Sequence, residues 1–206
     1  MEKKVKSTEQ KANSAYPTTQ QRELARNKRH LSQRQESLVA RLRSGDRTAA
    51  AELVDMYYEQ IYLYMRRLGH DRQISEDLTQ ESFLSAWHHI AQLRDGKALN
   101  SWLYRIAGNI SRLYWRKHRH KELAGIEGAD MPDHSKSGRD LVEHDEQLEQ
   151  LNDAVSRLPI KLRQSVVLHY MQQLTIAEAA VAAGVREGTF KSRLNRALRT
   201  LRRQVT

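Results

Sequence analysis

The stretch 174-LTIAEAAVAAGVREGTFKSRLNRALRTLRR-203 decides the reading of this chain. Thr175 stands before an apolar-periodic run, the usual place of a helix N-cap. Ile176, Ala179, Ala180 and Ala183 recur at helical spacing, and Gly184 ends the run, because glycine takes a left-handed C-cap without strain. Val185 can plug the turn. A second helix then starts near Glu187 to Thr189 and runs on through FKSRLNRALRTLRR. Phe190, Leu194, Leu198 and Leu201 share its apolar side, while Lys191, Ser192, Arg193, Asn195, Arg196, Arg199 and Arg202 share the other. A short helix, a glycine turn and a longer basic helix form the helix-turn-helix pattern, whose second helix lies in the major groove of DNA. A solvated basic helix in an ordinary bundle would carry the same charge stripe. The glycine turn and the small-residue first helix favour DNA instead. The N-terminal turns of such a helix meet base edges, which nominates Arg186, Glu187, Thr189, Lys191, Ser192, Arg193 and Arg196. Arg199, Arg202 and Arg203 lie further on and are expected to touch phosphate or solvent.

Composition agrees with a polyanionic partner. The 206 residues carry a formal net charge of +10, with a pI near 9.9 and a mean hydropathy of −0.78. A 39% hydrophobic content suits small helical domains with thin cores. The chain has no cysteine, which excludes disulfides and cysteine zinc sites and fits a reducing cytoplasm. No apolar run approaches the ~18 residues of a membrane span, and the basic N-terminus lacks a signal peptide's apolar core. With 9 Gly, 3 Pro and no alternating valine-isoleucine runs, an all-α fold follows.

Residues 1–31 read as a basic, disordered extension. Up to His30 they hold eight basic residues against three acidic, a net +5 in which apolar residues are too sparse to offset ordering entropy. Leu24 to Leu31 could extend the first helix backwards. That helix is expected over Ser32 to Arg43, with Leu38, Val39 and Leu42 inward. Gly45-Asp46 breaks it, and Asp46 can cap the next, whose core face is Leu53, Val54, Tyr57, Ile61, Tyr64, Met65 and Leu68, ending at Gly69.

Ser75 can cap a third helix, SEDLTQESFLSAWHHI. Leu78, Phe83, Ala86, Trp87 and Ile90 supply its apolar contacts, and Asp77, Gln80, Glu81 and Leu84 line another side at spacings of three and four. A polar stripe beside an apolar residue suits a helix-on-helix interface, where carboxylates and amides can meet arginines. His88 and His89 point about 100° apart on a helix and cannot chelate one metal ion together. After a loop turning at Asp95-Gly96, Asn100 or Ser101 can cap a fourth helix, with a core face of Trp102, Leu103, Ile106, Ile110 and Leu113. Its back is polar and cationic: Arg105, Asn109, Arg112 and Arg116, extended by Tyr114, Trp115 and the run Lys117 to Lys121. Aromatic residues among basic ones suit stacking on bases and contact with phosphates.

From Glu122 to Gln150 nine acids face two bases, a net −7, with Gly125, Gly128, Pro132 and Gly138 marking a flexible linker. Fully extended, it spans roughly 100 Å. Two duplex sites one and a half helical turns apart are separated by only about 50 Å. The last domain begins near Leu148, with Leu151, Val155 and Leu158 inward, and Pro159 opens a new helix.

The run G-V-x-x-G-T-F-K-S-R-L-x-R-A closely resembles the end of an extracytoplasmic-function (ECF) sigma factor of the sigma-70 family, which usually has valine where this chain has Phe190. The match extends upstream through Leu158, Pro159 and Arg163 to Val166, Val167, Leu168 and Tyr170. D-x-x-Q-E-x-F followed by A-W, from Asp77 to Trp87, matches the family's most recognisable signature. Several expectations are implied by this resemblance. Region 2 would occupy residues 32–121, an acidic linker 122–147 and region 4 residues 148–206, giving two small helical domains. Asp77, Gln80, Glu81 and Leu84 would dock on the β′ clamp of RNA polymerase core. Arg105, Asn109, Arg112, Trp115, Arg116 and Lys117 would read and melt the −10 element, and the segment Leu93 to Leu99 would capture a flipped base, at a few kcal/mol of unstacking. The helix-turn-helix would read the −35 element, with the β flap as a further polymerase contact. The acidic linker would thread channels built for nucleic acid, and an anti-sigma factor is implied as a partner.

No nucleophile-base pair, metal cluster or glycine-rich phosphate loop is visible in the sequence, so neither catalysis nor a cofactor is expected. The rival from another class is a free-standing helix-turn-helix regulator with an N-terminal sensing domain. A nucleic-acid enzyme ranks third.

Overall fold

Asp46 shows how the N-terminal half is framed. Its carboxylate accepts from the Thr48 amide at 2.8 Å and from the Thr48 hydroxyl at 2.7 Å, capping a helix over Arg47–Arg67 as its sequence position predicts. Arg41 in the preceding helix reaches Asp46 at 2.9 Å and Glu52 at 2.7 Å, fixing the corner between the two. The hydroxyl and guanidinium hydrogen bonds pull the Asp46 carboxyl down to about 2.

The computed structural model describes residues 19–123 and 146–205. Among these lie eight α-helices and no strand: α1 Thr19–Arg43, α2 Arg47–Arg67, α3 Arg72–His89, α4 Leu99–Leu123, α5 Glu146–Ser156, α6 Ile160–Val166, α7 Ile176–Ala183 and α8 Glu187–Val205. The basic arm before Thr19 and most of the acidic linker lie outside the described residues. The first helix starts at Thr19, well before Ser32: the backward extension allowed by Leu24 to Leu31 is present, and residues 19–31 are helical where the composition predicts disorder.

Helices α1 to α4 enclose the N-terminal part of one continuous core. Leu38, Val39 and Leu42 meet Leu53, Tyr57, Ile61, Tyr64, Met65 and Leu68, with Leu78, Phe83 and Ala86 from α3 and Leu99, Leu103, Ala107 and Ile110 from α4. These are the faces expected from the 3.6-residue period, except that Val54, Trp87, Trp102, Ile106 and Leu113 are only half-buried and Leu99 and Ala107 join the core. Two helix starts differ from expectation. Asp71, not Ser75, caps α3 by accepting from the Ile74 amide at 2.8 Å; Ser75 lies buried in the first turn. Helix α4 starts at Leu99, ahead of Asn100 and Ser101, on a 3₁₀ turn over Gly96–Ala98 capped by Asp95.

Helices α5 to α8 carry the same core onward through Val155, Leu158, Val166, Val167, Leu168, Leu174, Phe190, Leu194, Ala197 and Leu201. After α6 the chain widens into a π turn over Val167–Met171, and His169 Nδ1 hydrogen-bonds the Leu174 carbonyl at 2.8 Å, closing the loop before α7. The two halves are in contact, with α7 packed along α4.

Candidate nucleic-acid interface

The helix-turn-helix forms as its residues dictate. Thr175 and Glu178 make a reciprocal capping box: Thr175 Oγ1 accepts from the Glu178 amide, and the Glu178 carboxylate accepts from the Thr175 amide at 2.9 Å. Gly184 ends α7 at φ 69°, a left-handed conformation in which a side chain is strained. Phe190 is 0% exposed and anchors α8. Leu194, Ala197 and Leu201 are buried with it, and Leu198 is half-buried. The opposite side is open. Arg186, Glu187, Thr189, Lys191, Ser192 and Arg196 are exposed, while Arg193 is half-buried. Lys191 and Glu187 lie 4.0 Å apart as an i,i+4 pair. Arg199, Arg202 and Arg203 continue the exposed cationic edge. An exposed cationic helix face after a glycine turn is the kind of surface that helix-turn-helix proteins present to a duplex groove.

The cationic side of α4 is built differently. Arg105, Asn109, Arg116 and Lys117 are exposed, but Arg112 and Trp115 are half-buried. Arg112 donates to Asn109 Oδ1 and, from Nη1, to Gln164 Oε1 at 3.3 Å. Burial, and then the nearby charges of Arg193 and Arg105, push the Arg112 guanidinium down from its ordinary range. Trp115 lies flat on His70, with ring centres 5.0 Å apart, and Tyr114 meets both rings edge-on. His70 is itself buried, with Nε2 2.7 Å from Ser111 Oγ. The aromatic part of this helix is therefore packed on His70 of the same half rather than splayed outward. The sequence reading missed His70, because a lone histidine after a helix carries no periodic signal.

The segment Leu93 to Leu99 is anchored at both ends by buried leucines and exposes Arg94, Asp95 and Lys97. Gly96 lies so close to α1 that an added Cβ would fall 2.7 Å from Glu36 Cα, and Lys97 Nζ lies 3.4 Å from Glu36 Oε1.

On α3, Asp77, Gln80, Glu81 and Leu84 are all exposed and share one side; Leu84 is 61% exposed. Beside Leu84 a cleft of about 310 Å³ opens between α2 and α3, lined by Arg47, Ala50, Leu53, Val54, Phe83 and Trp87. An apolar cleft beside a polar stripe can seat a partner helix. Among the described residues no three His, Asp or Glu side chains gather as a metal site, and no helix is long and apolar enough to cross a membrane.

Residues 53–121 match the protein family Sigma-70 region 2, and residues 148–201 match Sigma-70, region 4. This chain is an ECF sigma factor of the sigma-70 family. It is 31% identical over 177 residues to the ECF RNA polymerase sigma factor SigW of Bacillus subtilis, covering 81% of this chain and 94% of that one. Against SigM of the same organism it is 31% identical over 154 residues, covering 73% and 91%. Among solved structures, CnrH in complex with the cytosolic domain of CnrY superposes with a TM-score of 0.62 at 22% identity, over 82% of this chain and 96% of that one. The sigma factor RpoE in complex with the anti-sigma factor NepR from Bartonella quintana gives 0.59 at 20%, over 75% and 95%. At such identities these two neighbours speak for the fold. Sigma factors are DNA-binding regulatory proteins, and the free-standing regulator is not favoured: a helix-turn-helix alone leaves the match over residues 53–121 without an account.

Proposed function

We propose that this sigma factor binds RNA polymerase core and directs promoter-specific initiation, reading −35 DNA with α8, reading and melting −10 DNA with α4, and docking on the β′ clamp with α3. The functional units are residues 32–121 and 148–206, joined by the acidic segment 122–147 and preceded by the basic arm 1–31. The protein works in the cytoplasm, catalyses nothing itself, contacts the β flap through its C-terminal unit and is held by an anti-sigma factor. The observation that carries this reading is the clean division of α8, with Phe190 fully buried and Lys191, Ser192 and Arg196 exposed beyond the Gly184 turn.

Run-off transcription with purified core on promoters selected from random DNA tests the whole. Core-dependent initiation from one −35/−10 pair is expected, and duplex binding with no effect on core would overturn it. Gln80→Ala with Glu81→Ala tests the docking face. Weaker core binding at unchanged helicity is expected, and unchanged affinity would remove α3 from the assignment.

A further inference from the structure

The turn between α2 and α3 supports the far end of α4. Gly69, at φ 98°, lets the chain leave α2, and Asp71 caps α3 two residues later. Between them His70 turns toward α4 and is 1% exposed. Its Nε2 lies 2.7 Å from Ser111 Oγ, and its ring lies on Trp115 with 20° between the planes. Ser111 and Trp115 are one helical turn apart, so a single imidazole fixes two successive turns of α4. Tyr114 completes the layer. It meets His70 edge-on and stacks with His118, ring centres 3.9 Å apart. Burial, and then the charge of Asp71, push the Tyr114 phenol up from its ordinary value, in keeping with a seat beside the α3 cap.

This end of α4 needs such a support. Ser111 is the last buried residue of the helix among those whose burial is described. The exposed cations Arg116 and Lys117 follow, and the sequence runs on to Arg119 and Lys121. Arg112 and Arg116 are like charges at i,i+4, which works against the helix. A cationic helix end suits phosphate, but its own sequence does not hold it in place; packing has to. Trp115 supplies that packing. It is half-buried against His70 and not turned out as a platform for a base. Arg112 and Arg116 form the neighbouring strip, each one residue on from Ser111 and Trp115. Where the Trp115 ring is seated therefore sets where that strip points.

We propose that His70 is a positioning residue for −10 recognition: by seating Ser111 and Trp115 it fixes the last turns of α4, so that Arg116 and Lys117 meet promoter phosphates while Trp115 stays on His70. This rests on the assignment of α4 to −10 DNA. Phosphate contacts set register and affinity without reading sequence, so the effect of His70 falls on all −10 sequences alike.

Two substitutions separate the ring from the hydrogen bond, and both are read in the full chain assembled with core polymerase. His70→Phe keeps a ring under Trp115 and gives up Ser111. His70→Gln gives up the ring and keeps an amide for Ser111. The probe is fork-junction promoter DNA carrying the −10 element. His70→Gln should weaken its binding about tenfold and lower the slope of log affinity against log salt by about one to two, as when one or two phosphate contacts are lost. His70→Phe should keep both values close to those of the unsubstituted protein, even where urea unfolding shows it to be the less stable variant. Core affinity should be unchanged in both. Adding His70→Gln to Arg116→Ala with Lys117→Ala should cost nothing more, because the contacts it works through are already gone.

DNA affinity that follows stability rather than the ring overturns the proposal, as does an unchanged salt slope in His70→Gln. Full additivity with the Arg116 and Lys117 substitutions overturns it too. An equal loss of core affinity would make His70 a support of the whole N-terminal half and would have the same consequence. If Arg116→Ala with Lys117→Ala leaves DNA binding intact, the assignment of this end of α4 to DNA fails and the proposal falls with it. If that pair weakens binding and His70→Gln does not, the proposal alone fails.

Discussion

Helices α4 and α8 carry the same kind of sequence, a stripe of arginines opposite a stripe of leucines and isoleucines, yet the fold treats them differently. On α8 the cationic stripe faces solvent from Arg186 to Arg203, with only Arg193 half-buried. On α4 it is interrupted: Arg112 is tied to Asn109 and Gln164, and Trp115 is stacked on His70. The difference lies in what covers each helix. Helix α8 packs on its own half through one face, while α4 is buried on two sides, one toward α2 and α3 and one toward α7. A basic helix is therefore not automatically an available one. Whether it can meet DNA depends on contacts made 50 to 100 residues away, as with Gln164 on Tyr64.

The sharpest break in this comparison is expected from the anchor of α8. Phe190→Ala removes a fully buried ring and should cost about 3–5 kcal/mol. In urea unfolding the C-terminal half should melt first, and −35 duplex binding should vanish while the N-terminal core persists. If both halves lost the same stability in one transition, the two ends of the shared core would be energetically one.

Next come the open positions of α8. Lys191→Ala or Arg196→Ala should cost about 1–3 kcal/mol of −35 affinity and relax preference at one base position. Arg202→Ala should weaken all sequences about equally. Selection of −35 variants against each protein checks this, and a changed preference in the Arg202 variant alone would reverse the docking orientation.

The covered helix should behave in two ways. Arg112→Ala should leave the free chain's binding of a −10 strand undiminished, yet lower the yield of permanganate-reactive open complex once core is bound. Equal losses in both states would mean that Arg112 is available all along.

The smallest effect concerns the frame that holds α1 against α2. The Asp46 carboxyl titrates at about 2 in the fold against 3.8 for the ordinary group. A depressed carboxyl contributes stability above its unfolded value, and this is lost as pH falls from near 3.8 toward 2. Thermal unfolding across that window should fall less steeply in Asp46→Asn, which keeps a capping oxygen but does not titrate. Parallel curves would show that the cap carries no net charge contribution.

The sequence made local features legible because their causes are local. The Thr175 capping box, the left-handed Gly184, the Asp46 cap and the buried face of α2 all follow from residues within a few positions of one another. It misled where two cappers competed, as with Asp71 and Ser75, since the choice depends on where the preceding Gly69 turn releases the chain. It missed the burial of Tyr104, Ala107, Gly108 and Ser111, which lie off the core stripe read from periodicity. Tyr104 and Gly108 reach the other half of the molecule, at Gln172 and Gln164, and a period cannot announce a distant partner. Gly108 was the available clue, an isolated glycine inside a long basic helix.

The placement of Gly96 on the backbone of α1 bears on how these proteins could be rebuilt. If the 93–99 segment captures a base, as the family resemblance implies, one would wish to transplant it from one scaffold to another. Here that segment has no room for a methyl group above Glu36 Cα and is further tied through Lys97. The exchangeable module is consequently the loop together with the helix beneath it. A donor loop with any side chain at position 96 would have to bring its own α1, or arrive displaced from the surface it is meant to shape.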